Sequence, residues 1–171
     1  FSYGAWADKF EGAVHKPPLR GVALAMNEPL GVVGIACPED FGLLGFVSAF
    51  APAIAMGNRV VVVPSASQAL AATDFYQVLE TSDVPAGVVN IVTGDRAALA
   101  LELAKHEEVD GLWWFGNAAA AGRIEKASAG NLKQVWAETM QRDWFSAVQG
   151  EGREFLTRAT QVKNIWVPYG E

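Results

Sequence analysis

The one thiol of this 171-residue sequence is Cys37, and its thiolate form would be the nucleophile if the surroundings lowered its pKa. They do not. Cys37 closes the apolar run GVVGIAC immediately before Pro38, with no base at a spacing that would activate it, so an inert buried side chain is expected. A single cysteine also excludes an internal disulfide and a cysteine-built zinc cluster. His15 lies beside Lys16-Pro17-Pro18, in what reads as an N-terminal loop, and His106 lies in the last turn of a helix, where a cation suits the macrodipole. Neither makes a metal-binding or triad spacing, so no metal is expected. Gly116-Asn117, opening a helix, could offer backbone N–H groups to a phosphate. The two familiar phosphate cradles are absent: no GxGxxG follows the first strand of the main run, and no GxxxxGK[ST] occurs.

Five β-rich runs have to position these residues: GVVGIAC from Gly31, VVVVP from Val60, VVNIV from Val88, GLWWF from Gly111 and LKQVWA from Leu132. The first three are almost continuously apolar, the mark of parallel strands covered on both faces. Helices fill the intervals. Phe41 to Met56 is apolar all round and is expected to lie deep, kinked or divided at Pro52 and stopped by Gly57-Asn58. Ser67 to Ser82 places Ala72, Phe75, Tyr76 and Leu79 on one stripe. Asp95 and Asn117 are expected N-caps of two further helices, the first turning Leu99, Ala100, Leu103 and Ala104 to the sheet. The fold expected is α/β, an open, doubly wound, Rossmann-like parallel sheet. Such a sheet binds ligands at the carboxyl ends of its strands. The informative residues are therefore Pro38-Glu39-Asp40, Pro64-Ser65-Ala66, Thr93-Gly94-Asp95, Gly116-Asn117-Ala118 and Glu138-Thr139.

A formal charge of −6 with 13 Lys and Arg argues against nucleic acid and anionic membrane as partners. With 51% hydrophobic residues and no uninterrupted apolar run of membrane-spanning length, a soluble globular chain is expected. No export leader is evident, and with the lone cysteine this points to the cytoplasm.

Seven segments carry a family likeness: AWADKFEG at Ala5, EPLGVVGIACPEDFGLL at Glu28, FAPAIAMGNRVVVVPS at Phe50, DVPAGVVNIVTG at Asp83, FGNAAAAGR at Phe115, NLKQVWAE at Asn131 and TQVKNIWV at Thr160. Together and in this order they resemble the aldehyde dehydrogenase superfamily. The resemblance implies an NAD or NADP site, with Pro38, Pro64, Ser65, Gly94, Gly116 and Asn117 at its cofactor-binding positions and Glu138 at the position of the general base. Its departures are specific. Pro38-Glu39-Asp40 stands where the family has Pro-Trp-Asn, putting a carboxylate where a neutral amide would hold an oxyanion. Val63-Pro64-Ser65-Ala66 replaces Lys-Pro-Ser-Glu and removes both ribose contacts, and Ala118 replaces the serine that meets the pyrophosphate. Thr139-Met140-Gln141-Arg142 replaces all of the general-base motif beyond Glu138.

The family's catalytic domain, which carries the thiol nucleophile, is inserted after the general-base strand; here only a short stretch separates NLKQVWAET from GREFLTRATQVKNIWV. The expected organisation is a Rossmann-like domain over 1–144, including a β segment at 20–27, then a linker and C-terminal oligomerisation strand over 145–171, with the catalytic domain absent. Trp144 is expected to be exposed unless a partner covers it. Val22, Leu24 and Met26, with TQVKNIWV, resemble the family's β oligomerisation arm, which implies a homo-oligomer or docking on a catalytic unit. The arrangement resembles most closely the degenerate C-terminal unit of family 16 aldehyde dehydrogenases, a non-catalytic assembly module. The alternatives are the NAD(P)-binding part of an oxidoreductase completed by another domain or chain, and a site for a cationic group or another small ligand at the altered rim.

Overall fold

The valine-rich runs VVGIA and RVVVV lie side by side because both of their faces find cover, as near-continuous apolar strands require. A computed structural model describes residues 1–170. Its elements begin with α1 (Ser2–Trp6), β1 (Ala13–His15), β2 (Gly21–Pro29), β3 (Val32–Ala36), α2 (Gly42–Ala55), β4 (Arg59–Val63), α3 (Ala69–Asp74) and α4 (Tyr76–Thr81). They continue with β5 (Val89–Ile91), α5 (Arg96–Lys105), β6 (Gly111–Phe115), α6 (Ala118–Ala127), β7 (Gln134–Glu138), α7 (Arg153–Arg158) and β8 (Thr160–Pro168).

Five parallel strands stand in the order β5-β4-β3-β6-β7. The chain builds outward from β3 to β5, returns to lay β6 on the other side of β3, and builds outward again to β7. The strand order therefore reverses between β3 and β6, and the crevice at their carboxyl ends is where such sheets hold ligands. One face of the sheet presents Val33, Ile35, Val60, Val62 and Trp113 to Phe46, Phe50 and Ala53 of α2 and to Phe155 and Leu156 of α7. The other presents Ala36, Leu112 and Trp114 to Ala100 and Ala104 of α5 and to Ala120, Ala121 and Ile124 of α6. The alanines let α5 and α6 come close. Gly34 serves the same approach, since a Cβ there would sit 3.1 Å from Leu103 Cδ1. Each fully buried Ile, Leu or Phe contributes about 1.5–3 kcal/mol to this two-sided core.

A second, antiparallel sheet runs β1-β2-β8, with β2 and β8 paired from Gly21↔Pro168 to Pro29↔Thr160. The two chain ends thus form an arm outside the main layer. Asn58 ties the arm to the sheet. Its buried side chain donates to Ala53 O at 2.9 Å and to Ala159 O at 2.8 Å, and accepts from Gly31 N at 3.0 Å.

Five expectations need correction. The segment from Ser67 is not one helix: a 3₁₀ turn over Ala66–Gln68 leads into α3 and α4, which are interrupted at Phe75, whose ring packs 5.8 Å from those of Phe46 and Phe50. Tyr76 leaves the buried stripe, because its hydroxyl accepts from Ile91 N at 2.8 Å at the edge strand. Only one face of α2 is deep, since Leu43 and Leu44 are exposed, and the helix runs unbroken through Pro52. Trp144 is buried without any partner chain: residues 139–152 fold back over the end of β7 and place its ring 5.4 Å from Phe115 and 6.1 Å from Phe155. His15, placed in a loop from sequence, ends the short strand β1, which pairs with β2.

Candidate functional site

Each strand of the main sheet delivers its last residues to one rim, and a cleft of about 490 Å³ opens there. Pro38, Asp40, Gly116, Asn117 and Glu138 line it, with Arg96 and Arg142. Four of the residues singled out from sequence, Pro38, Gly116, Asn117 and Glu138, therefore come together. Pro64, Ser65 and Gly94 do not. Pro64 and Ser65 are buried after β4, where Ser65 Oγ lies 3.4 Å from Ser67 Oγ, and Gly94 sits before α5 beside Leu99.

The caps at this rim form as the side chains demand. Asp95 accepts from Ala98 N at 2.8 Å and Asn117 accepts from Ala120 N at 2.9 Å. The second cap uses one of the N–H groups that a phosphate at α6 would need, and Ala118 supplies no hydroxyl. Cys37 is fully enclosed, its N–H bound to Val63 O at 2.9 Å. Burial pushes its thiol well above the ordinary range; the nearby Arg96 charge opposes this and Glu39 adds to it. No thiolate is available from it near neutrality.

Glu138 ends β7 and is held on both oxygens. Oε2 accepts from Arg142 Nη2 at 2.7 Å, and Oε1 accepts from Met140 N at 3.2 Å. Arg142 is 8% exposed. It also donates to Glu154 at 2.9 Å and to Gln149 O at 2.7 Å, and its guanidinium lies over the rings of Trp136 and Phe155. The Arg142 charge and these two bonds favour the ionised carboxylate and hold it against the fold-back rather than free in the cleft.

Sequence reasoning passed over Arg96. Its Nη1 donates to Cys37 O at 2.8 Å and to Phe115 O at 2.6 Å, its Nε donates to Glu39 Oε1 at 2.7 Å, and its guanidinium lies 4.5 Å from the ring centre of Trp114. The signal was present: an arginine as the first residue of a helix opposes the macrodipole and needs a local reason to be there. Arg142, noted only as a departure from a motif, is the second residue missed.

Set against these side chains, a dinucleotide fits poorly. The crevice between β3 and β6 contains a guanidinium, the rim carries Glu39 and Asp40, the Ser65 hydroxyl after β4 is buried beside that of Ser67, and Ala118 at α6 has no hydroxyl. Among the described residues no three His, Cys, Asp or Glu side chains gather where they could hold a metal ion, and no helix is long and apolar enough to cross a membrane.

A family model described as the aldehyde dehydrogenase family matches residues 2–142. The chain is 33% identical over 137 residues to betaine aldehyde dehydrogenase of Bacillus subtilis (strain 168), covering 80% of this chain and 28% of that protein. It is 34% identical over 135 residues to aldehyde dehydrogenase 1A1 of Equus caballus, covering 78% and 27%. Among solved structures, PnpE from Pseudomonas sp. WBC-3 superposes with a TM-score of 0.75 at 27% identity, covering 90% of this chain and 35% of that one. A betaine aldehyde dehydrogenase mutant from Staphylococcus aureus, solved in complex with NAD+, gives 0.74 at 27% identity, covering 80% and 28%. The chain thus spans under a third of the length of the curated relatives it matches.

Proposed function

Because this chain belongs to the aldehyde dehydrogenase family, we propose that it is a non-catalytic unit of that family which serves assembly. It keeps the sheet and the arm and has lost the chemistry. The observation that carries this reading is the fold-back of residues 139–152, which lays Arg142 on Glu138 and Trp144 on Phe115, at the point where the family's catalytic domain would be inserted. A Rossmann-like unit over 1–144, an arm completed by 145–171 and no catalytic domain is the organisation this implies. In this reading the chain parallels the degenerate C-terminal unit of family 16 aldehyde dehydrogenases. The partner is a second copy of the chain or a catalytic aldehyde dehydrogenase unit, paired along the arm in the cytoplasm.

A second reading rests on the NAD+ complex of the Staphylococcus aureus neighbour: the chain would be the cofactor-binding part of an aldehyde-oxidising enzyme completed elsewhere. Calorimetric titration with NAD+ and NADP+ separates the two. Absent or millimolar binding agrees with the assembly module, and micromolar binding overturns it in favour of the second reading.

A further inference from the structure

We propose that the crevice between the carboxyl ends of β3 and β6 is a guanidinium-accepting site, filled by the chain's own Arg96. The proposal rests on the reading of the chain as unable to hold a dinucleotide, and it gives that inability a chemical cause. Ala36↔Trp114 is the last rung of the β3–β6 ladder, and the next residue on each strand, Cys37 and Phe115, turns a carbonyl oxygen into the crevice. Arg96 Nη1 bridges these two oxygens at 2.8 and 2.6 Å, standing in for the missing rung. The remaining features of the crevice suit the same ion. Glu39 meets Nε at 2.7 Å, the Trp114 face lies 4.5 Å from the guanidinium, and the arginine side chain is 10% exposed. Two carbonyl oxygens, a carboxylate and an aromatic face repel a phosphate and attract a planar cation. Asp40 on the same rim adds to that preference, whereas the Glu138 charge is already met by Arg142.

A small planar cation supplied from solution therefore replaces the side chain when it is removed. The experiment uses the full chain with Arg96→Gly, probed with ethylguanidinium, with ethylammonium as the compact-charge control, and with inorganic pyrophosphate and NAD+. The substitution lowers Tm by about 5 °C or more. Ethylguanidinium at millimolar concentration restores part of that loss in the variant and leaves the original protein unchanged. Ethylammonium acts about tenfold more weakly because it lacks the fork. Pyrophosphate and NAD+ have no effect. Stabilisation of the variant by pyrophosphate or NAD+ but not by ethylguanidinium overturns the proposal, as does a variant with unchanged Tm. If Arg96→Gly does not fold alone, refolding in ethylguanidinium is the measurement: recovery of native tryptophan fluorescence supports the site and no recovery overturns it. Arg96→Lys behaves like the glycine variant, and full retention of Tm by lysine overturns the planar-cation assignment. Tight NAD+ binding by the unaltered chain would defeat the assembly-module reading instead, so the two failures are distinguishable.

Discussion

Arg142 Nη2 and Glu138 Oε2 stand 2.7 Å apart at the end of β7, in an i,i+4 pair formed across a turn. The arginine is shared with Glu154 at 2.9 Å and roofed by aromatic rings, so it organises the whole of residues 139–154. Arg142→Ala would leave Glu138 largely covered with no counter-charge and is expected to cost about 2–3 kcal/mol, discounted from a fully buried pair because Glu154 remains half exposed. Arg142→Lys keeps the charge, loses the fork and is expected to cost about 1–2 kcal/mol. Urea denaturation midpoints check both, and equal midpoints for all three proteins would mean that the pair is ornamental.

Cys37 is expected to resist thiol reagents in the folded state near neutral pH and to react fully in urea, because neither solvent nor a base reaches it. Its folded-state pKa is raised above the ordinary 9.0 by burial first. For an acid, this direction means that the unfolded chain releases its proton first as pH rises. The contribution to stability is then whole below 9.0 and falls above it, by about 1.4 kcal/mol one pH unit beyond. Cys37→Ala removes that slope. The comparison of stability between pH 8 and 10, variant against parent, reads it directly.

Asn58 uses its amide to join the end of α2, the start of β3 and the residue before β8. Asn58→Ala would strip two carbonyls and one N–H of their partners and is expected to cost about 3 kcal/mol. The loss is expected to be uneven. Amide hydrogen exchange should quicken first along the β2–β8 pairing and later in β3, since only the arm hangs from Ala159. A uniform rise in exchange would show that the arm and sheet open as one unit.

Strand identity was legible because long apolar runs such as VVVV have no other stable solution than a strand covered twice, and the caps at Asp95 and Asn117 were legible because short polar side chains before alanine-rich helices have a mechanical role. The site was less so. Trp144 was misplaced because burial by a fold-back of residues 139–152 depends on Phe155, which has no local sequence relation to it. Arg96 and Arg142 make their contacts with residues 19 to 59 positions away in the one case and with aromatic faces on two elements, β7 and α7, in the other, and no periodicity encodes such pairings. Tyr76 broke its helical stripe for a hydrogen bond to β5 that helix spacing cannot foresee.

The arm gives the last prediction, which follows from the proposed assembly role. β8 is an edge strand among the described residues, pairs only with β2, and is exposed along nearly its whole length. Val162 and Trp166 lie on one side of it, two large apolar side chains at 60% and 61% exposure, with Lys163 as its one charged residue. A long apolar edge of this kind invites strand addition unless another chain already covers it. The full chain is therefore expected to be a dimer or larger at micromolar concentration by light scattering. Val162→Lys with Trp166→Lys should yield a monomer with an unchanged main-sheet fold, since neither side chain belongs to either core cluster. A parent that is monomeric at all accessible concentrations and binds no catalytic aldehyde dehydrogenase unit would remove assembly as the purpose of the arm. A double variant that stays oligomeric would move the interface elsewhere, with the apolar face of α2 at Leu43 and Leu44 as the next surface to alter.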